Sequence, residues 1–198
     1  MITLLMDTSK DYLHIGLVRD GFFLEKISLP AKQKQSELTM SYLAQLCSNH
    51  NVRATDISEI VITNGPGSYT GLRIAMTIAK VMTSLEPIDL YVVDTLKVLI
   101  GLTNKYSVAL MDARSNRAYV CVAEMGRYIV DTSIVSLDNV AQCLKQEARY
   151  VGDAYLVNQE SVQVDFLENM YHIRNNWIKV DDVDSLVPNY FKDMTHYG

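Results

Sequence analysis

The sequence predicts an α/β fold in which one structural unit occurs twice, each copy a lobe with a mixed sheet. Three observations predict it. A largely apolar run at residues 2–6 leads into Asp7, and a second run at 108–111 leads into Asp112. Each is followed by a strand-like stretch, a glycine turn and a further strand-like stretch. At a shift of 105 (112 − 7 = 105), Leu5 falls on Leu110, Met6 on Met111, Asp7 on Asp112 and Gly21 on Gly126. Four identities carry little weight alone. The shared order of strand, aspartate, strand, turn and strand carries more.

Each element follows from local pattern. Residues 2–6 read as a strand buried on both faces. Residues 12–18 form a second strand, Asp20-Gly21 supplies a hairpin turn that tolerates positive φ, and 22–29 return as a third strand stopped by Pro30. From 36 to 49 the periodicity becomes helical, with Ser36 as the expected N-cap, although the glutamate follows at once and completes no capping box. Residues 60–63 form a strand, 65–71 a turn-rich loop, and 72–85 a helix closed by Pro87. A strand at 90–93 and a short helix at 95–101 complete the first copy. The second copy offers strands at 108–111, 118–123 and 128–135, a helix at 137–147, a strand at 149–151 and a mixed tail. A β-β-β-α-β-α-β order occurring twice is the actin-like (ASKHA, ribonuclease-H-like) architecture, here with a reduced second lobe. The expected lobes are 1–102 and 103–198, with no linker between them.

Composition narrows the function. The chain has 198 residues, 48% hydrophobic and 21% charged, ordinary values for a soluble globular protein. A net charge of −5 argues against a chain that grips nucleic acid by itself, because phosphate contacts need a concentrated basic surface. It leaves nucleic acid open as the substrate of a larger assembly. Cys47, Cys121 and Cys143 show no zinc or disulfide spacing and suit a reducing cytosol. The first apolar run is too short for a signal peptide and lacks a basic leading segment. No run of about 18 apolar residues occurs, so no membrane span and a cytoplasmic location are expected.

Asp7 and Asp112 are the first candidates for chemistry, since α/β sheets place ligands at the carboxyl ends of strands. In actin-like ATPases two such acids hold a hydrated Mg²⁺. The loops after them normally carry glycine, so that backbone N–H groups can approach phosphate. The loops here, Asp7-Thr8-Ser9-Lys10-Asp11 and Asp112-Ala113-Arg114-Ser115-Asn116, contain none. The competing reading is that both acids cap turns through the following N–H groups. The loop Gly65-Pro66-Gly67-Ser68-Tyr69-Thr70-Gly71 could present a helix N-terminus to an anion, with Ser68 or Thr70 as cap. Leu72 and Arg73 follow where a Walker loop needs Lys and then Ser or Thr, so it is not a P-loop; the alternative is a tight strand-to-helix turn. His14, His50, His172 and His196 are nowhere three or four apart, so no helix face offers a metal-binding pair. No Gly-x-Ser-x-Gly elbow is present.

The two long helices are the most informative feature. The second is apolar nearly all round, with only Arg73 and Lys80 charged, and Gly71, Ala75 and Ala79 form a row of small residues four apart. A helix apolar on two faces needs two partners, another part of the chain or another subunit. The chain looks too short to cover such helices, which points to an interface. The expected contact residues are Leu38, Tyr42, Leu43, Leu46, Leu72, Ala75, Met76, Ala79 and Met82.

Taken together the residues resemble the bacterial TsaB (YeaZ) family. The resemblance rests on Met6-Asp7-Thr8-Ser9, on Gly65-Pro66-Gly67-Ser68-Tyr69-Thr70-Gly71-Leu72-Arg73-Ile74, on Asp112-Ala113-Arg114 with Tyr119, and on Gly152-Asp153. The glycine-rich run is the specific part. The match covers the first lobe and part of the second. It implies an actin-like fold and a role in making N6-threonylcarbamoyladenosine at position 37 of tRNAs that read codons starting with A. It further implies a non-catalytic partner of a TsaD-like catalytic paralogue, joined through the first two helices, with a TsaE-like ATPase binding the pair. Contact with tRNA is expected only through the complex, and a homodimer when the chain is alone. No intrinsic cofactor is expected, with ATP or ADP at the level of the complex. The paralogue's metal site uses a His-x-x-x-His pair on its first helix. This chain has Gln33-Lys34-Gln35-Ser36-Glu37 near that point, so the site does not carry over.

Two rival readings remain. Asp7 and Asp112 motivate an actin-like small-molecule kinase or ATPase. The old glycoprotease label of related proteins motivates a peptidase, for which the sequence supplies neither a metal pair nor a nucleophile elbow.

Overall fold

The computed structural model describes residues 1–140, 144, 145 and 147–191. The chain divides into two compact units. The first joins Met1–Val93 with Arg174–Asn189, and the second joins Asp94–Ile173 with the segment that begins at Tyr190. This differs from the expected division at 102/103 in two ways. Asp94 caps a short helix, accepting from the backbone N–H of Leu96 at 2.8 Å and of Lys97 at 3.1 Å. Leu96 and Ile100 of that helix are buried in the second unit's core, so the break falls before it. Arg174–Asn189, expected in the second lobe, returns to the first.

The first unit contains β1 (Ile2–Asp7), β2 (Tyr12–Arg19), β3 (Phe22–Pro30), α1 (Gln35–Asn49), β4 (Glu59–Thr63), α2 (Tyr69–Leu85) and β5 (Asp89–Val93). Its sheet runs in the order β3-β2-β1-β4-β5 and continues onto the late strand Ile178–Lys179. β1 pairs antiparallel with β2 and parallel with β4. All six of its residues are buried, four of them apolar, as the centre of a sheet covered on both faces requires, with Thr3 and Asp7 hydrogen-bonded inside. α1 begins one residue earlier than expected. Lys34 stands at its N-cap without a side-chain bond, and Ser36 lies inside the helix rather than capping it. α2 is capped by Ser68, whose Oγ accepts from the N–H of Gly71.

The returning segment holds the outer edge of this sheet. Arg174 donates two hydrogen bonds of 2.7 Å to the carboxylate of Glu59, which also accepts one of 2.6 Å from the Thr3 hydroxyl. Arg174 stacks over Trp177, 4.5 Å from its centroid, and Trp177 packs on Tyr91 at 5.8 Å. Removing Arg174 leaves a 4% exposed carboxylate with one hydroxyl partner. Breaking a fully buried pair costs about 3–5 kcal/mol, and the arginine here is half-buried, so Arg174→Ala is expected to cost roughly 2–3 kcal/mol. A urea titration followed by the fluorescence of Trp177, the chain's single tryptophan, measures it.

The second unit opens with α3 (Thr95–Ile100), then β6 (Ser107–Arg114), β7 (Arg117–Glu124), β8 (Arg127–Ser136), α4 (Leu137–Val140), β9 (Arg149–Gly152) and α5 (Phe166–His172). Its sheet order, β8-β7-β6-β9, repeats β3-β2-β1-β4 of the first unit. Adding 105 to the bounds of β2 gives 117 and 124, the bounds of β7. The helix expected over 137–147 is assigned only through Val140. Positions 141–143 and 146 lie outside the described residues, and Leu144 and Lys145 are not helical. The late strand in the first unit, Ile178–Lys179, is β10. Among the described residues no helix is long and apolar enough to cross a membrane.

Candidate functional site

Asp7 and Asp112 both act on their own turns. Asp7 is buried, and its Oδ1 accepts from the Thr63 hydroxyl and, at 3.1 Å, from the N–H of Ser9. Asp112 is exposed, and its Oδ1 accepts from the N–H of Arg114 at 2.7 Å. Its own N–H donates to Asp153 Oδ2 at 3.0 Å. Asp7 belongs to the first unit and Asp112 to the second. The chain's own donors thus engage both carboxylates, as the turn-capping alternative requires.

The Gly65–Gly71 loop is a packing device residue by residue. Gly65 has φ +123°, and a Cβ there would stand 2.3 Å from the carbonyl oxygen of Asn189. A Cβ on Gly67 would stand 2.7 Å from the carbonyl oxygen of Ser9, and one on Gly71 2.1 Å from that of Thr8. Pro66 is buried, Ser68 caps α2, Tyr69 stacks on Arg73 with 4.3 Å between guanidinium and ring, and Leu72 enters the core. The Thr8 hydroxyl donates to Gly71 O at 2.6 Å and accepts from Ala75 N at 3.2 Å. The loop after β1 and the start of α2 therefore lie backbone against backbone. Glycine is needed because no side chain fits between them. Gln35, near the position of the paralogue's metal-binding pair, donates from Nε2 to Lys10 O at 2.6 Å and ties α1 to the same loop.

The expected interface is the main correction. Leu43, Leu46, Leu72, Ala75, Met76 and Ala79 are at most 5% exposed. They face the core under the sheet, so a partner cannot reach them in the folded chain. Leu38, Tyr42 and Met82 are half-buried and pack against that core. The second partner that α2 requires is supplied in part by the chain itself. Val180, Val183 and Leu186 pack on the first unit's core, and Lys80 Nζ donates to Asp184 O at 2.8 Å. The chain is thus long enough to cover part of α2, because 174–189 returns to the first unit.

Beside exposed Arg73, Thr77 and Ser84, α2 carries an apolar stripe that is absent from the expected contact residues. Ile74, Ile78, Val81 and Leu85 follow i, i+4, i+7 and i+11 spacing along one helix face. Ile74 and Ile78 are half-buried, Val81 is 52% exposed and Leu85 74%. On a helical wheel the stripe flanks the buried Leu72, Ala75, Met76 and Ala79 face, with Ile78 packed against the core beside it and Arg73, Thr77 and Ser84 exposed beyond.

Among the described residues the remaining reactive groups do not converge. His14 bonds Ser28, His50 bonds Glu25, and His172 lies against Glu168; His196 and Cys143 lie outside the described residues. Burial pushes the Cys121 thiol up to about 12, so it is protonated at neutral pH and no nucleophile.

Comparison with known proteins completes this picture. The chain is 26% identical over 177 residues to the tRNA threonylcarbamoyladenosine biosynthesis protein TsaB of Bacillus subtilis strain 168, covering 86% of this chain and 76% of that one. YeaZ from Pseudomonas aeruginosa superposes with a TM-score of 0.76 at 18% identity, over 96% of this chain and 99% of that one. The family model for TsaD, tRNA N6-adenosine threonylcarbamoyltransferase, matches residues 29–179. The chain belongs to the TsaD family, in its TsaB/YeaZ branch. A further P. aeruginosa structure, described as similar to peptidase YeaZ, reaches a TM-score of 0.78 at 18% identity with the same coverage. The expected duplicated actin-like fold is the fold of the chain.

Proposed function

We propose that this chain is a non-catalytic subunit of the assembly that adds the threonylcarbamoyl group to N6 of adenosine 37 in tRNA. In that role it binds and stabilises a TsaD-like catalytic paralogue. The observation that carries the reading is the apolar stripe Ile74, Ile78, Val81 and Leu85 along α2, of which Val81 and Leu85 are more than half exposed. The family match and the name of the B. subtilis relative support the pathway. The use of the glycine loop, Asp7 and Asp112 for the chain's own packing supports a scaffold role. In this reading the contact residues are that stripe and the half-buried Leu38, Tyr42 and Met82, in place of the six core residues. A TsaE-like ATPase joins the pair, tRNA is met through the complex, and ATP or ADP enters at the complex. The same face pairs two copies when the paralogue is missing, and the setting is the cytoplasm.

Reconstitution tests the reading. Threonylcarbamoyladenosine formed on tRNA from purified pathway components should appear with this chain and be lost or strongly reduced without it. Equal product in both reactions contradicts the role.

A further inference from the structure

We propose that Arg174–Asn189 is a strap that sets the conformation of the Gly65–Gly71 loop and of α2, and so the affinity of the α2 face for its partner; the second half of this rests on the function proposed above. The strap meets the chain at both ends of β4 and pairs with β5 between them. At the amino end Arg174 clamps Glu59. It then runs antiparallel to β5, with Ile178 opposite Val92 and Lys179 opposite Tyr91. Lys179 reaches Asp89 at 2.8 Å, and Val180 N donates to Leu90 O at 2.9 Å. It passes the flank of α2, where Lys80 holds Asp184 O. At the carboxyl end Asn189 N donates to Asn64 O at 2.7 Å, and the Asn189 carbonyl presses on Gly65.

The loop that starts α2 therefore stands between two backbone walls. One is the Thr8–Ser9 turn, fixed by buried Asp7. The other is the strap, whose two-residue strand is exposed on both positions and whose Ile178 and Val187 are 64% and 68% exposed. Segments with exposed hydrogen bonds and few buried side chains open locally before the rest of a domain. The strap is thus the wall that yields first. When it opens, the loop loses its support at Gly65, and α2 loses Asp184 on its Lys80 flank. The strap's hydrogen bonds go to β4, β5 and Lys80 rather than to the stripe residues Val81 and Leu85. Strap variants therefore separate positioning of the face from contact with the partner.

The test uses the full chain carrying Val183→Ser with Leu186→Ser, and separately Asn189→Pro, which removes the amide that donates to Asn64 O together with the Asn189 side chain and fixes φ there. Hydrogen exchange by mass spectrometry reads residues 65–72, and calorimetry reads binding to the TsaD-like paralogue. Exchange in the loop should rise together with exchange in the strap, and affinity should fall by about tenfold, an ordinary size for coupling between sites. Fast strap exchange with wild-type loop protection and wild-type affinity overturns the proposal. If the double variant does not fold, Asn189→Pro gives the same two readouts. If the wild-type chain does not bind the paralogue, the partner reading fails, and the loop-exchange readout alone decides whether the strap supports the loop.

Discussion

Ala79→Glu should unfold the first unit. Ala79 has no exposed surface and lies on the α2 face under the sheet, beside Met76 and Leu72. Two penalties act together. Extra side-chain atoms enter a filled core, typically costing 1–3 kcal/mol. An unpaired carboxylate is also buried, adding several more unless it protonates. The sum, on the order of 5 kcal/mol, is comparable with the whole stability of an ordinary domain, about 5–15 kcal/mol. Thermal melting followed by circular dichroism should show the cooperative transition lost or lowered by more than about 10 °C, since 1 kcal/mol is about 2–4 °C at this size. From the sequence alone the same substitution looks like an interface disruption. A chain that melts normally with Ala79→Glu would show that α2 is turned differently from its placement here.

Gly71→Ala is expected to be nearly as damaging, against the usual rule for helices. In an exposed helix interior that change gains up to about 1 kcal/mol. Here the new Cβ meets the Thr8 carbonyl at 2.1 Å, a backbone atom that cannot rotate away. Thr8 is itself locked, buried and bonded to both Gly71 O and Ala75 N. Relief requires shifting the start of α2 away from the β1 loop, which breaks both bonds. A loss of about 3 kcal/mol or more outweighs the propensity gain. Gly21→Ala is the informative comparison. That glycine has φ +92° with nothing within 4 Å, so only local strain of roughly 1–2 kcal/mol applies. Chemical denaturation midpoints of the two variants should therefore differ clearly.

The fold was legible where pattern is local. Largely apolar runs marked β1 and β6, and Asp20-Gly21 marked the first hairpin. The shift of 105 read from four identities reappears in the matched bounds of β2 and β7 and in the repeated strand order. What was not legible depends on distant pairing. Nothing in the stretch 174–189 announces that it leaves the second unit to close the first. Its strand is two residues long, and its anchor, Glu59, lies 115 positions away. The cover on α2 and the return of 174–189 to the first unit rest on that distant pairing, while the break before Asp94 rests on the packing of α3 in the second unit's core.

The candidate site shows the same limit. The glycine run was recognised as specific, but its cause is the close approach of the loop after β1, which no spacing rule reveals. In sequence Leu72, Ala75, Met76 and Ala79 qualify as contacts only by being apolar. Apolarity does not say which side of an almost wholly apolar helix faces the sheet. The backbone decides that, and it leaves Val81 and Leu85 outside.

The most direct test of the partner role is the affinity of the Val81→Glu, Leu85→Glu double variant for the TsaD-like paralogue, measured beside its melting temperature. Both positions are more than half exposed, so stability should stay within about 1 kcal/mol of the wild type. The account predicts a folded chain whose binding falls by about a hundredfold or more, because two charges would be buried unpaired at the contact. Wild-type binding by that folded variant would contradict it.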